Sequence, residues 1–164
     1  MDTYICDTLF IPLRSAPSHR SEMLSQILFG EKYVITDTVG SWIRIGTIFD
    51  KYNGWIDTHH HGISQPCDES EGQVLNRALV CFREDGSRLV LEAGCEIHRP
   101  DYDKKSFSVG GHVYTTEPGF SKSFTARLDS LSDTSMRFIN SPYIWGGRLP
   151  SGIDCSGYTQ LVYK

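Results

Sequence analysis

The sequence contains no apolar run long enough to cross a bilayer and no basic, apolar leader at its amino end. The longest apolar run near the start covers residues 9–13, whereas a spanning helix needs about 20 residues. Sixteen basic and twenty acidic residues leave a formal charge of −4, which disfavours a general nucleic-acid partner. We therefore expect a cytoplasmic chain that binds neither membrane nor nucleic acid, or a periplasmic or secreted one if a leader was removed.

The five cysteines form no CxxC pair and show no zinc-type spacing. An odd number without a framework indicates free thiols in a reducing compartment rather than a disulfide scaffold. We expect four of them to be small buried residues, namely Cys6, Cys67, Cys81 and Cys95.

Three successive histidines, His59, His60 and His61, invite a metal hypothesis, because imidazole is a common zinc ligand. Adjacent side chains on an extended strand point to opposite faces, so the three cannot all bind one ion without a special loop. A solvated loop is the better interpretation, and we predict no metal site and no cofactor. His98 and His112 are expected to be ordinary polar residues.

Short apolar stretches separated by frequent turns predict strands from residue 4 to about residue 58. Prolines bracket a loop at 12–18, and Gly30 and Glu31 form a turn between two strands. This pattern is typical of a small barrel. Residues 21–25 are also compatible with one helical turn.

The same stretch resembles the bacterial SH3 domain, a resemblance carried by four short motifs: 13–18 (LRSAPS), 28–31 (LFGE), 40–42 (GSW) and 54–56 (GWI). Such barrels often bind peptides or glycan-linked peptides. Trp42, Trp55 and Tyr52 are candidates to line a pocket, although a core position is favoured for the two tryptophans.

A second β unit is expected after a polar linker punctuated by glycine and proline. One hairpin is predicted around the turn at Asp85 and Gly86, and another around Gly110 and Gly111. We interpret this unit as a second, divergent SH3-like barrel.

The last residues place one cysteine at the start of a short helical pattern. Asp154 is a favourable N-cap, so Cys155 lies in the first turn, where free N–H groups and the helix dipole stabilise a thiolate. Tyr158, Leu161 and Val162 recur at the spacing of one buried helix face. A thiolate nucleophile is therefore expected at Cys155.

A short helix is also predicted over residues 129–140, ahead of that segment. Ser132 or Asp133 offers an N-cap, Met136 and Ile139 supply an apolar pair, and Pro142 prevents continuation.

The motifs PYIWGGR at 142–148 and SGIDCSG at 151–157 are together similar to the signature of the NlpC-type cysteine peptidases. Members of that family have a papain-like catalytic domain, cleave peptide bonds in bacterial cell-wall peptides, and can carry bacterial SH3 domains ahead of it. The resemblance implies a mainly β fold, in which two small SH3-like barrels precede the start, with two short helices, of an α+β papain-like domain.

By this resemblance, Cys155 is the nucleophile, and Tyr143 lies beside the thiol and donates to the developing oxyanion. Asp154 and Ser156 would help to recognise the free amino end of an L-Ala-γ-D-Glu peptide, a small cell-wall-derived muropeptide. The implied reaction is hydrolysis of the γ-D-glutamyl–diamino acid bond through an acyl-enzyme. Lysine and diaminopimelate stay open as the diamino acid.

A cysteine peptidase also needs a histidine that takes and returns the proton, and in this family it follows the cysteine. All six histidines of this sequence precede Cys155. We therefore expect the N-terminal portion of a longer enzyme, inactive by itself, whose last helix exposes an apolar face. The alternative is a non-catalytic muropeptide-binding SH3 module with a vestigial peptidase segment.

The expected organisation is an SH3-like domain at 1–61, a linker at 62–73, a second SH3-like domain at 74–124 and the start of a peptidase domain at 125–164.

Overall fold

The structure is a computed structural model that describes residues 2–59, 71–126 and 130–164. The first sheet consists of β1 (Thr3–Ile5), β2 (Phe10–Arg14), β3 (Met23–Leu28), β4 (Lys32–Val39), β5 (Trp42–Thr47) and β6 (Asn53–Asp57). The second consists of β7 (Gln73–Val74), β8 (Leu79–Arg83), β9 (Arg88–Leu91), β10 (Glu96–Asp101), β11 (Ser106–Val109) and β12 (His112–Thr116). A 3-10 turn at Lys122–Phe124 then leads to α1 (Leu131–Met136), β13 (Arg148–Leu149), β14 (Gly152–Ile153) and α2 (Cys155–Tyr163).

The two sheets share one topology. The first has the strand order β1-β4-β5-β6-β2-β3 and the second the order β7-β10-β11-β12-β8-β9, so the second repeats the first strand for strand. Their strands pair antiparallel, and the hairpins predicted around Asp85 and Gly110 are present as β8–β9 and β11–β12. The predicted mainly β fold, with two SH3-like barrels ahead of two short helices, is confirmed.

The first barrel closes through a turn that follows β3. The backbone N–H of Cys6 donates to the carbonyl of Glu31 at 2.9 Å, and the N–H of Gly30 donates to the carbonyl of Cys6 at 2.7 Å. Gly30 has a φ of +82°, in the left-handed region that glycine tolerates best. These bonds join the end of β1 to the end of β3.

The second barrel closes through the equivalent turn after β9. Leu75 N–H donates to the Cys95 carbonyl at 2.8 Å, and Gly94 N–H donates to the Leu75 carbonyl at 2.8 Å. Gly94 likewise has a positive φ, of +96°. Gly30 and Gly94 therefore occupy matching positions in the two barrels.

One hydrophobic core joins the second barrel to both of its neighbours. Phe29, at the end of β3, lies edge-on to Tyr114 and Phe107, with ring centroids 5.3 and 6.2 Å away. From the other side, the same cluster includes Leu149 of β13 and Leu161 of α2. A separate cluster fills the first barrel alone. The carboxyl-terminal segment thus packs on the barrels rather than standing apart from them.

Some local predictions are wrong. Residues from Met23 onward form β3, paired with β2, so the alternative of a helical turn fails. The N-cap of α1 is Ser130 rather than Ser132 or Asp133, because its hydroxyl accepts from the Asp133 N–H at 3.1 Å and donates to the Asp133 carboxylate at 2.8 Å. Strand β7 begins at Gln73, the last residue of the expected linker.

His98 is another correction, because it is fully buried and its Nε2 lies 2.9 Å from the Gly30 carbonyl. Cys6, Cys81 and Cys95 are buried as predicted. Cys67, His60 and His61 lie outside the described residues. Among the helices that the structure describes, none is long and apolar enough to cross a membrane.

Replacement of Gly30 tests the junction between the barrels. A Cβ at Gly30 would overlap the carbonyl oxygen of Glu96, whereas a Cβ at Gly86, with a similar φ of +83°, meets nothing within 4 Å. We expect Gly86→Ala to lower the free energy of unfolding by about 1–2 kcal/mol, the left-handed backbone penalty alone. Gly30→Ala should cost clearly more, because backbone must also move. Urea unfolding of both variants measures this, and equal losses would contradict the close approach.

Candidate active site

Asp154 holds the start of α2 and the preceding loop together. Its Oδ1 accepts from the Gly157 N–H and from the Ser156 hydroxyl, both at 2.7 Å. Its Oδ2 accepts from the Gly146 N–H at 2.8 Å. The predicted N-cap is therefore confirmed, and the same carboxylate also fixes the glycine loop.

The same hydrogen bonds set the charge of Asp154. Burial acts to raise the pKa of this carboxyl, but the donors on Gly157, Ser156 and Gly146 outweigh it and hold the pKa below its ordinary value. Asp154 is thus ionised at neutral pH, directly before the nucleophile candidate.

Cys155 is the first residue of α2 and is exposed. The other described cysteines differ sharply, since burial raises the pKa of Cys81 and Cys95 to about 12 and raises that of Cys6 further. Cys155 is therefore the described cysteine that combines exposure with a position at a helix N-terminus.

The loop before the hairpin is seated on β3 of the first barrel. Trp145 Nε1 donates to the Glu22 carboxylate at 3.0 Å. Gly146 has a φ of +73°, and a Cβ there would lie 2.5 Å from the Met23 carbonyl oxygen. Glycine is thus needed at position 146, where the backbone of this loop approaches the backbone of β3 closely.

Tyr143 lies on the strand-like segment next to β14. Its backbone forms a bridge with Ile153, two residues before Cys155, and Ile153 N–H donates to the Pro142 carbonyl at 3.0 Å. Tyr143 is 65% exposed. The oxyanion role of Tyr143 and the amine-binding roles of Asp154 and Ser156 stay predictions.

Sequence reasoning missed a buried ion cluster behind the nucleophile helix. Arg148, only 1% exposed, donates from both terminal nitrogens to the two Glu31 carboxylate oxygens at 2.9 Å. A third carboxylate oxygen, Asp50 Oδ2, lies 3.4 Å from the same guanidinium. The Arg148 position is visible in the motif, but its partners lie about a hundred residues earlier and have no local signal.

Lys164 joins this cluster from the end of the described chain. Its Nζ lies 2.6 Å from Glu31 Oε1 and 2.7 Å from Glu96 Oε1, and it donates to the Gly94 carbonyl at 2.9 Å. Burial acts to raise the pKa of Glu31, but Lys164 and Arg148 outweigh it and hold that pKa below its ordinary value. Glu31 is therefore an ionised carboxylate between two cations.

Helix α2 was expected to expose its apolar face, but the structure buries one residue of that face. Leu161 is buried, and its Cδ2 lies 2.7 Å from where a Cβ of Gly94 would stand. Tyr158, predicted to share the buried face, is instead 38% exposed and meets Phe138 edge-on. Leu161 is therefore covered by the second barrel, at Gly94.

The described histidines lie in the barrels. His19 Nε2 and His59 Nδ1 lie 2.9 and 3.3 Å from the Asp57 carboxylate, and His112 belongs to β12. Trp42 and Tyr52, candidates for pocket lining, are half-buried in the first barrel, where Trp42 packs against His19. Within the described ranges, no group of three or more acidic, histidine or cysteine side chains could hold a metal ion.

A cavity of about 660 Å³ lies between α1, α2 and the second barrel. Leu75, Arg137 and Phe138 help to line it, but Cys155 does not. The cavity is therefore separate from the nucleophile candidate.

The fold therefore consists of two small SH3-like barrels followed by a capped helix that begins with an exposed cysteine. Comparison with known proteins agrees, because residues 8–61 match the bacterial SH3 domain and residues 140–164 match the NlpC/P60 family. The resemblance seen in the sequence is confirmed, because one part of the chain matches the bacterial SH3 domain and the part that contains Cys155 matches the NlpC/P60 family.

Two similar proteins bear the name gamma-D-glutamyl-L-lysine dipeptidyl-peptidase. The one from Bacillus cereus (strain ATCC 10987 / NRS 248) is 45% identical over an alignment 174 residues long. The alignment covers 90% of this chain and 51% of that protein. The one from Bacillus subtilis (strain 168) is 24% identical over 156 residues, which cover 85% of this chain and 52% of that protein. The chain spans about half the length of these relatives.

A solved structure shows the same fold. The crystal structure of an NlpC/P60 family protein from Bacillus cereus ATCC 10987 superposes with a TM-score of 0.76 at 16% identity. The match covers 98% of this chain and 71% of that one. The arrangement of barrels and terminal segment is therefore one found in a solved NlpC/P60 structure.

The Asp154 carboxylate gives a pH-dependent prediction. Its folded-state pKa lies below the unfolded value of about 3.9, so its stabilisation is present above about pH 4 and is lost as the pH falls through the folded-state value. Asp154→Asn keeps a capping oxygen but loses the charge, and we expect it to lower the free energy of unfolding by about 1–2 kcal/mol at pH 7.

Denaturant unfolding of the wild type and Asp154→Asn between pH 7 and pH 2 measures the effect. The difference should shrink toward zero at the acid end. Asp103→Asn, the same change at an exposed site, is the control and should show little difference at any pH. A difference that does not depend on pH would contradict the ionised cap.

The contrast among thiols predicts their order of modification. Iodoacetamide at neutral pH should label Cys155 in the native protein at least tenfold faster than Cys6, Cys81 or Cys95, because those three are buried and their raised pKa values disfavour the thiolate. Peptide mapping by mass spectrometry identifies each site. Cys155→Ala is the control, and comparable labelling of a buried cysteine in the folded protein would refute the assignment.

Proposed function

We propose that this chain supplies the nucleophile and the SH3 barrels of a cysteine endopeptidase that acts on bacterial cell-wall peptides. The observation that carries the proposal is the exposed Cys155 at the start of a helix whose cap, Asp154, is held ionised. An accessible sulfur at such a helix end is suited to nucleophilic attack.

In the proposed reaction, the Cys155 thiolate attacks the γ-carbonyl carbon of D-glutamate in an L-Ala-γ-D-Glu-diamino acid peptide. The carbonyl oxygen becomes an oxyanion, to which the exposed Tyr143 hydroxyl donates. A general acid protonates the amine of the diamino acid as the C–N bond breaks, and water then attacks the thioester carbon, which releases the γ-carboxyl group of D-glutamate and the Cys155 thiol.

Asp154 and Ser156 are proposed to hold the free α-amine of L-alanine. Oδ2 of Asp154 accepts one hydrogen bond, from Gly146, so a second acceptor site on that oxygen remains for an ammonium group. A charge-assisted bond of this kind is about twice as strong as a neutral one. Recognition of the amine restricts the enzyme to peptides with a free amino end.

The names of the two dipeptidyl-peptidases contain gamma-D-glutamyl-L-lysine, which supports lysine as the diamino acid. Small free peptides of this kind arise when cell-wall material is broken down. We accordingly propose a role in cell-wall peptide recycling, in the cytoplasm, where free thiols persist.

We further propose that these 164 residues do not complete the reaction by themselves. Attack by a thiolate needs a proton carrier for the leaving amine. The described histidines lie elsewhere, with His19 and His59 at Asp57 and His98 against Gly30.

Three ligands test the proposal on the purified chain. The first is L-Ala-γ-D-Glu-L-Lys, the second its N-acetylated form, and the third an L-Ala-γ-D-Glu thioester. We expect no hydrolysis of the first, but at least a threefold slower alkylation of Cys155 in its presence at millimolar concentration. The acetylated peptide should give no protection, and the thioester should add an acyl mass to Cys155, an adduct that is absent from Cys155→Ala.

Each other outcome is informative. Cys155-dependent turnover of the tripeptide would refute the incomplete site, and equal protection by both peptides would refute recognition of the amine. Protection without acylation by the thioester would favour the non-catalytic muropeptide-binding module over the peptidase.

A further inference from the structure

One carboxylate contacts both ends of the segment that contains Cys155. Arg148, at the start of β13, and Lys164, directly after α2, both donate to Glu31. The intervening residues 149–163 include the hairpin turn, the cap and the nucleophile helix. Glu31 belongs to the first barrel, so this segment is fixed at two points to a separate unit of the fold.

Glu31 is itself held in a fixed orientation. Its Oε2 accepts from the Leu28 N–H at 2.8 Å, and its backbone N–H donates to the Leu28 carbonyl at 3.0 Å. The residue lies in the closing turn of the barrel, next to the positive-φ Gly30. The carboxylate therefore has little freedom to follow a moving partner.

Arg148 is fixed through its backbone as well as its side chain. Its N–H donates to the Gln26 side-chain oxygen at 2.8 Å, and its Nη1 donates to the Gln26 carbonyl at 2.7 Å. Across the hairpin, Arg148 pairs with Ile153, the residue before Asp154. The guanidinium fork thus lies one strand pair away from the cap of the nucleophile helix.

Stability alone does not explain this cluster. Replacement of a buried ion pair by apolar side chains of similar volume is often neutral or stabilising, because both charges lose their hydration on burial. The bidentate pairing of arginine with a carboxylate adds directional constraint that an apolar contact lacks. Orientation is therefore the property that the charges contribute.

We propose that Glu31 is a positioning residue that sets the orientation of the first turn of α2, and hence of the Cys155 sulfur, through Arg148 and Lys164. The inference rests on the proposed function only in taking Cys155 as the nucleophile. Glu31 has no contact with the reacting atoms and acts solely through the two cations.

Two variants separate positioning from simple stability. Glu31→Gln removes the charge at nearly constant shape. Glu31→Leu combined with Arg148→Met removes both charges of the buried pair. The double variant keeps the proposal testable if Glu31→Gln fails to fold. Glu117→Gln makes the same change at an exposed site as a control. The measurements are the thermal midpoint, amide hydrogen exchange at Gly157 and Gly146, and the rate of Cys155 alkylation at pH 7.

We expect Glu31→Gln to speed exchange at Gly157 and Gly146 at least tenfold while Ile45 in β5 stays within threefold, and to slow Cys155 alkylation at least threefold. The double variant should recover part of the thermal midpoint that Glu31→Gln loses, because Lys164 keeps its contacts with Glu96 and Gly94, without recovering either local property. If exchange and alkylation return with the midpoint, or if Glu31→Gln leaves both within twofold of wild type, the positioning role is wrong. None of these measurements uses a peptide substrate. A failure of the positioning role can therefore be told apart from a failure of the proposed function.

Discussion

The fully buried carboxylate of Glu31 is the contact on which the arrangement of the three parts of this chain depends. It belongs to the closing turn of the first barrel, accepts from Arg148 of the terminal hairpin, and accepts from Lys164, which also contacts Glu96 of the second barrel. A buried charge without its partners is costly, so the segments that supply them must dock together for any of them to be stable. The ion cluster therefore requires one relative orientation of barrel, barrel and nucleophile helix.

The repeated barrel topology explains how this docking is built. Each barrel closes through a positive-φ glycine, and the next unit packs against each glycine so closely that a Cβ there would overlap it. Gly30 packs against the backbone of Glu96, and its carbonyl oxygen lies 2.9 Å from His98 Nε2. Gly94 packs against Leu161, and its carbonyl oxygen accepts from Lys164. The absence of a side chain lets backbone approach, and the free carbonyl of the turn then binds a buried cation or imidazole. One local geometry thus serves two successive junctions.

The sequence predicted the elements whose signals are local. Turn residues and alternating apolar positions located the hairpins, and Asp154 before Cys155 located the capped helix. The position of Ser130 as the N-cap of α1 was missed because several adjacent polar residues could serve equally well. The burial of His98 and the Glu31–Arg148 pair were missed for a different reason, since partners 68 and 117 residues apart leave no periodic trace in one sequence. Tertiary packing also reversed the expectation for the last helix, whose Leu161 found its cover on Gly94.

The backbone around Cys155 is held by contacts with the preceding glycine loop and, through that loop, with the first barrel. Asp154 fixes the first turn of α2 to the glycine loop, and that loop rests on β3 through Gly146 and Trp145. These contacts come from backbone donors and side chains of the described residues, and they hold the backbone on both sides of Cys155. A base that approached Cys155 would meet a backbone already fixed by folding, so less entropy would be lost when the two groups align. The first barrel is therefore part of the structural support of the segment that carries Cys155.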